Sequence, residues 1–336
     1  MRNTCIKMRN VIFLIALFLL ASCGVPKPVS IVSSQALRIS GERPPLDEDL
    51  AMLSPAGLQG ASWINIRDMR LSPLWPTIVA ILETHYSDHF LSKDFVLRLL
   101  LEAEEILAVS GHRSENEADG FVMLIKGTWH TESLIDRLIA TGQFRETMEN
   151  NQRVLAFSNV RIAAVTDRTL MIASEHLYPS VTALYTLSGD SLRKSRHFSD
   201  LKKPEKGGAI SRYIRGNSTL NPQQFNIVPS YYRRMAKNVD RAESQMTFAG
   251  NLSLRADVKM DDAEQALQVQ KKLNAELKSI SSNALIAMLG MKPIVKKMRV
   301  TSESRHLRVS FKLTSADIKK ILQLIEPLMQ IRNMVQ

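Results

Sequence analysis

Gly60-Ala61-Ser62-Trp63-Ile64-Asn65-Ile66-Arg67 returns later in the chain as Gly208-Ala209-Ile210-Ser211-Arg212-Tyr213-Ile214-Arg215, with Gly, Ala, Ile and Arg in the same places. Each copy reads as a strand, and each opens the same order of elements. After the first copy, Ser72-Pro73 reads as a helix start with Ser at the cap and Pro in the first turn. Trp75, Ile78, Val79 and Leu82 then recur at helical spacing, and a second helical run carries Phe95, Val96, Leu99, Leu100 and Ala103. Ile106–Val109 and Phe121–Ile125 read as strands, with Ser114 to Asp119 turning between them. Thr131 opens a helix through Leu134, Ile135, Leu138 and Ile139 that Gly142 stops. Strands follow at Val154–Phe157, Ile162–Val165 and Leu170–Ala173, the last two joined tightly through Asp167-Arg168, and a short helix spans Pro179 to Leu187.

After the second copy the order repeats. A helix carries Tyr231, Tyr232 and Met235, and strands fall near Met246–Ala249 and Leu252–Val258. Asp261 and Glu264 form a capping pattern before a long helix with Ala266, Leu267, Leu273, Leu277 and Ile280. Strands near Met298–Thr301 and Leu307–Leu313 and a helix through Ile318, Ile321, Leu322, Ile325 and Leu328 close the chain. Hairpins joined through crossover helices give an α+β class: two related units, each an antiparallel-rich sheet with helices on one face. The expected organisation is a leader at 1–22, a tether at 23–55, an acidic unit at 56–190, a basic linker at 191–206 and a basic unit at 207–332. This layout resembles uncharacterised envelope lipoproteins of predatory and social soil-type bacteria, a likeness of element order that implies no activity.

The N-terminus reads as an export signal. Arg2, Lys7 and Arg9 precede the apolar run Val11 to Leu20, which at ten residues is too short to span a bilayer, where about twenty are needed. Leu20-Ala21-Ser22-Cys23 follows, and this segment resembles the lipobox of bacterial lipoproteins. The resemblance implies a diacylglycerol on the Cys23 sulfur, cleavage before Cys23 and acylation of the new amino group. Gly24, being other than Asp, implies the outer membrane rather than the inner. Val25-Pro26-Lys27-Pro28 and Pro44-Pro45 keep residues 24 to about 55 from forming helix, so they serve as a tether of about 30 Å as a coil. The cysteines are Cys5 and Cys23, so the mature body has no thiol, disulfide or Cys metal ligand, which suits an oxidising envelope.

The formal charge of +11 is unevenly distributed. Residues 24–190 hold 14 Lys and Arg against 21 Asp and Glu, a net of −7, whereas residues 191–336 hold 27 against 12, a net of +15. Such a split bears on partners. Lys202, Lys203 and Lys206 in the linker, Arg233 and Arg234 on one helix, and Lys296 and Lys297 in a further patch are the expected contacts of an anionic partner: anionic lipid, lipopolysaccharide or acidic glycan. Nucleic acid ranks low, because no reading motif is present. The competing reading is an ordinary solvated surface, or attraction between the two halves.

No catalytic motif stands out. A nucleophile-elbow Gly-x-Ser-x-Gly, a phosphate loop and a dinucleotide-binding turn are all missing from the sequence. His85 and His89 lie four apart and could share a helix face as a Zn or Cu pair, against the blander reading of a polar helix end. The carboxylates at Asp47-Glu48-Asp49, Glu102-Glu104-Glu105 and Asp261-Asp262 are explained by solvation or helix dipoles. Trp63, Tyr213, Tyr231 and Tyr232 could line a groove, but such aromatics more often fill cores. Met288, Met291 and Met298 lie in an apolar, Lys-rich stretch, where a buried turn competes with a loosely specific binding surface. No cofactor is expected, and the sequence leaves the oligomeric state open. The expectation is a lipid-anchored envelope protein acting as a non-enzymatic binding or scaffolding module, the alternative being a hydrolase or metal-dependent enzyme built on His85 and His89.

Overall fold

The computed structural model describes residues 50, 54–55, 60–85, 91–111, 120–149, 152–185, 210–215, 239–248, 250–321 and 323. The expected leader and linker lie outside them, as do most of the expected tether, the Ser114–Asp119 turn and the helix of Tyr231, Tyr232 and Met235. Leu50, within the expected tether, is instead fully buried in the first unit's core, because its apolar side chain packs there with Trp63 and Leu107. The chain divides into two compact units. Among the described residues, one contains those from Leu50 to Leu71 and from Ile78 to Ile214, and the other contains Ser72–Thr77 together with those from Arg215 on.

The first unit is built on β1 (Gly60–Asn65), β2 (Ala103–Gly111), β3 (Gly120–Gly127), β4 (Arg145–Glu149), β5 (Gln152–Phe157), β6 (Val160–Thr166) and β7 (Thr169–Ser174), in the order β1-β2-β3-β7-β6-β5-β4, with β8 (Ile210–Arg215) alongside β1. The pairings from β1 through to β4 are all antiparallel. The expected first strand is cut short: it ends at Asn65, whose side chain accepts from the Asp68 N–H and starts helix α1 (Ile66–Arg70). The Ser72 hydroxyl does accept from the Leu74 N–H, at 3.2 Å, but residues 71–74 form a turn and helix α2 (Trp75–His85) begins two residues later than expected. Helix α3 (Lys93–Glu102) is capped by Ser92, and Ala103 already belongs to β2.

Alternation gives one sheet face to Trp63, Leu107, Val109, Val122, Leu124, Val154, Ala163 and Met171, which form a single core with Leu177, Tyr178 and Val181. Tyr178 and Val181 belong to helix α5 (Tyr178–Tyr185), so that helix covers this face. Helix α4 (Thr131–Ala140) covers the other: Arg153, adjacent to Val154 and so facing the opposite way, reaches Glu132 and Asp136 at 3.2 and 2.8 Å and Glu146 of β4 at 2.7 Å. This sheet therefore takes helices on both faces. The reason is visible in β7, Thr169 to Ser174, which is buried throughout and needs cover on each side.

The second unit is built on β9 (Val239–Thr247), β10 (Leu252–Met260), β11 (Arg299–Glu303) and β12 (His306–Leu313), ordered β9-β10-β12-β11 and antiparallel throughout. Helix α6 (Ala263–Ser281) connects β10 to β11. Its cap is Asp262, which accepts from Glu264 N–H at 3.0 Å, one residue beyond the expected Asp261. Two short helices follow, α7 (Ala284–Met288) and α8 (Lys292–Val295). The same topology recurs in both units: a hairpin, a helix, then a hairpin whose last strand pairs back onto the second strand of the first. In the first unit this is β2-β3, α4, β6-β7, with β4-β5 added at the edge; in the second it is β9-β10, α6, β11-β12. The fold is thus α+β with a repeated sheet-and-helix unit. Leu74, only 2 % exposed, lies in the second unit's core with Leu252, Leu313, Ile280, Ile286, Met291, Ile294 and Val295, although it comes from the first half of the chain. Among the described residues no helix is long and apolar enough to cross a membrane.

Candidate functional site

The second sheet has two unlike faces. Leu254, Ala256, Met260, Val300, Leu307 and Val309 pack under α6 with Ala266 and Val269. Strand alternation sends Ser253, Arg255, Asp257 and Lys259 of β10, His306, Arg308, Ser310 and Lys312 of β12, and Arg299, Thr301 and Glu303 of β11 to the opposite face. Every one of these side chains is polar.

Antiparallel register sets their neighbours. Asp257 is directly across from Arg308 and takes Arg308 Nε at 3.0 Å on one oxygen and His306 Nδ1 at 2.7 Å on the other. Arg308 also donates to Glu303 at 2.7 Å. The hydrogen bond to Asp257, reinforced by the charge of Glu303, holds the Arg308 guanidinium above its ordinary pKa, so it is a permanent cation. Lys259 pairs with Asp240 and Arg241 with Glu243, each at 2.5 Å. One end of the face is therefore a lattice of matched charges.

Among the described residues, no acidic side chain pairs with the cations at the other end. Ser310 is paired with Arg255 on one side and with Arg299 on the other, so Arg255, Ser310 and Arg299 form one row across three strands. Adjacent strands lie about 4.8 Å apart, which puts the two arginine Cα atoms about 10 Å apart with a hydroxyl between them. Lys312 is two residues along β12 on the same face. Arg255, Arg299 and Lys312 are all exposed. Two guanidiniums and an ammonium around a hydroxyl can hold a phosphate, sulfate or carboxylate through charge-assisted hydrogen bonds.

The expected site residues are placed as follows. Cys23, Lys202, Lys203, Lys206, Arg233, Arg234 and His89 lie outside the described residues, and His85 ends α2 with its side chain outside them. Lys296 is exposed and caps the C-terminus of α8. Lys297 is engaged with Asp317. Burial alone would raise the Asp317 pKa, but hydrogen bonds from Lys297 and from the Thr314 backbone and hydroxyl outweigh it and hold the carboxyl below its ordinary value of 3.8. Trp63 is a core residue, and its indole N–H donates to Glu105 at 3.4 Å. Glu104 pairs with Arg168 at 2.8 Å. Of the three methionines, Met291 is buried, whereas Met288 is 84 % exposed. The row of Arg255, Ser310 and Arg299 was not singled out in the sequence; strand alternation could have flagged each residue, but only the register brings them together. Among the described residues, no group of three or more His, Cys, Asp or Glu side chains is placed to hold a metal ion.

No family model matches the chain, and no curated protein matches it. The fold resembles that of TP0453. Crystal form III of that protein matches with a TM-score of 0.54 at 9 % sequence identity, covering 84 % of this chain and 97 % of TP0453. Crystal form I matches with a TM-score of 0.51 at 10 % identity over 84 % and 98 % of the two chains, and form IV with 0.52 at 10 % identity over 81 % and 95 %. Nearly the whole of TP0453 is thus spanned, and at this identity the likeness is one of fold.

Proposed function

We propose that the protein is a lipid-anchored component of a bacterial cell envelope, attached to the outer membrane through Cys23, and that it works by binding or scaffolding rather than by catalysis. The lipobox Leu20-Ala21-Ser22-Cys23 carries this reading. The basic C-terminal half supplies the binding surface, and the row of Arg255, Ser310 and Arg299 with Lys312 is its best-defined part. The partner is anionic: a lipopolysaccharide phosphate or an acidic glycan presents the oxygens that such a row holds.

The test is binding of lipopolysaccharide by the lipid-free chain starting at Gly24, measured across ionic strength. Affinity should fall steadily as salt rises, because the Debye length shrinks from about 10 Å at 0.1 M to about 3 Å at 1 M. The Arg255→Glu, Arg299→Glu variant should bind at least about tenfold more weakly at low salt, since each reversed charge exchanges an attraction for a repulsion. Binding that ignores salt, or that survives both substitutions unchanged, would contradict the reading.

A further inference from the structure

We infer that the corner between α7 and α8 docks on an anionic bilayer surface, with Met288 entering the headgroup layer between exposed lysines. This rests on the membrane-tethered reading above and names a second contact that the tethered body makes with the membrane.

The corner is unusual in what it exposes. Met288 ends α7 at 84 % exposure, and Ala287 and Pro293 beside it are exposed as well. The inward side of the same corner is firmly held: Ile286, Met291, Ile294 and Val295 are core residues. Met288 is therefore presented outward by a fixed scaffold. Gly290 makes the turn at φ +64°, and a Cβ added there would strike Lys320 Nζ, so the Lys320 ammonium sits against the turn. Lys292 and Lys296 flank α8, four residues apart and on one side. The Lys297–Asp317 ion pair ties the end of α8 to the helical segment 315–321, which carries Lys319 and Lys320. Lys292, Lys296, Lys319 and Lys320 are all exposed.

Among the described residues, the counter-charge is missing. Residues 277–302 contain no Asp or Glu, and Asp317 is already taken up by Lys297 and Thr314. A soluble polyanion would satisfy the lysines but leave Met288, Ala287 and Pro293 in water. A bilayer satisfies both, because its phosphates lie at the surface and its hydrocarbon directly beneath. The corner lies on the α6 side of the second sheet, opposite the face with Arg255 and Arg299, so docking leaves that face accessible.

The experiment uses the mature lipidated chain with Met288→Cys. Cys5 leaves with the signal segment and Cys23 carries lipid, so the new thiol is the single labelling site for an environment-sensitive fluorophore. The protein is inserted through its own lipid into vesicles of phosphatidylcholine, or of phosphatidylcholine mixed with phosphatidylglycerol. Docking predicts a blue shift, and quenching by spin-labelled lipid, on the mixed vesicles alone. Both should reverse as salt rises from about 0.1 to about 1 M. Each lysine adds about fivefold to such partitioning, so replacing Lys292, Lys296, Lys319 and Lys320 with Gln should cut docking by about two to three orders of magnitude. A probe at Thr301, exposed on the opposite face, should show no shift. The proposal is overturned by a chain that floats with mixed vesicles without a shift, by equal shifts on both vesicle types, by the same response to soluble polyphosphate, or by a shift that persists in the four-lysine variant. A chain that does not float even with neutral vesicles overturns the tethering instead. The lipid-free chain added to the mixed vesicles then reads docking on its own.

Discussion

Leu74→Ala should destabilise the C-terminal unit selectively, although residue 74 belongs to the first half of the sequence. Leu74 is 2 % exposed and packs among Leu252, Leu313, Ile280, Ile286 and Ile294, which come from two strands and three helices, and Met291 of the turn between α7 and α8. Truncation removes about three methylene equivalents, worth about 2.4 kcal/mol at about 0.8 each. The remaining hole adds about 1 kcal/mol or more, since walls contributed by five separate elements collapse only in part. A loss of about 3 to 4 kcal/mol is a large share of the 5 to 15 kcal/mol that typically holds a domain together. In guanidinium chloride it corresponds to a midpoint about 1 M lower. Hydrogen exchange by segment locates the damage: amides of β10, β12 and α6 should lose protection while those of β3 and β7 keep it. Leu71→Ala, three residues earlier and 81 % exposed, should cost less than about 0.5 kcal/mol. A cost below about 1 kcal/mol for Leu74→Ala, or protection lost in β3 and β7 instead, would refute the placement of Ser72–Thr77 in the second unit.

Lys296 and Lys297 should behave differently despite being neighbours. Lys297→Ala releases Asp317 and should cost about 1 kcal/mol, seen as faster exchange in residues 315–321, whereas Lys296→Ala should leave stability unchanged and weaken only anion binding. The Asp317 carboxyl is held below its ordinary pKa, so its contribution is complete at neutral pH, begins to be lost only below about pH 4 and disappears as pH falls through the folded-state value; Asp317→Asn should flatten this acid dependence of exchange. Arg153→Met should loosen α4 over the edge hairpin by about 1 kcal/mol or more, because one guanidinium serves Glu132, Asp136 and Glu146 together; a double-mutant cycle with Glu146→Gln showing no coupling would contradict this.

Where apolar residues alternate or recur at helical spacing, the elements were legible. β3, β6, β7, α4, α6 and β12 fall within a few residues of their expected places, because burial imposes the pattern that sequence shows. The misses are places where burial is weak. β4, Arg145-Glu146-Thr147-Met148-Glu149, is a polar edge strand kept in place by its ladder with β5 and not by an apolar face. β9 starts at Val239, well before the expected Met246, because every residue in it is half-exposed and its alternation is faint. Helix α1 is five residues held by the Asn65 cap, too short to show a period. The departure of Ser72–Thr77 into the other unit is a tertiary event that no local pattern encodes. The candidate site was legible only as charge: the sequence shows that the C-terminal half is basic, but Arg255 and Arg299 become neighbours only through the register of β10, β12 and β11.

Lipid attachment at Cys23 is the claim on which the functional reading turns, and the mass of the mature N-terminal peptide tests it most directly. The reading predicts a chain that begins at Cys23, with a diacylglycerol on its sulfur and an acyl chain on its amino group, recovered in the membrane fraction and released to the soluble fraction by Cys23→Ala. A mature chain that begins at any other residue, or that carries an unmodified Cys23, would contradict it.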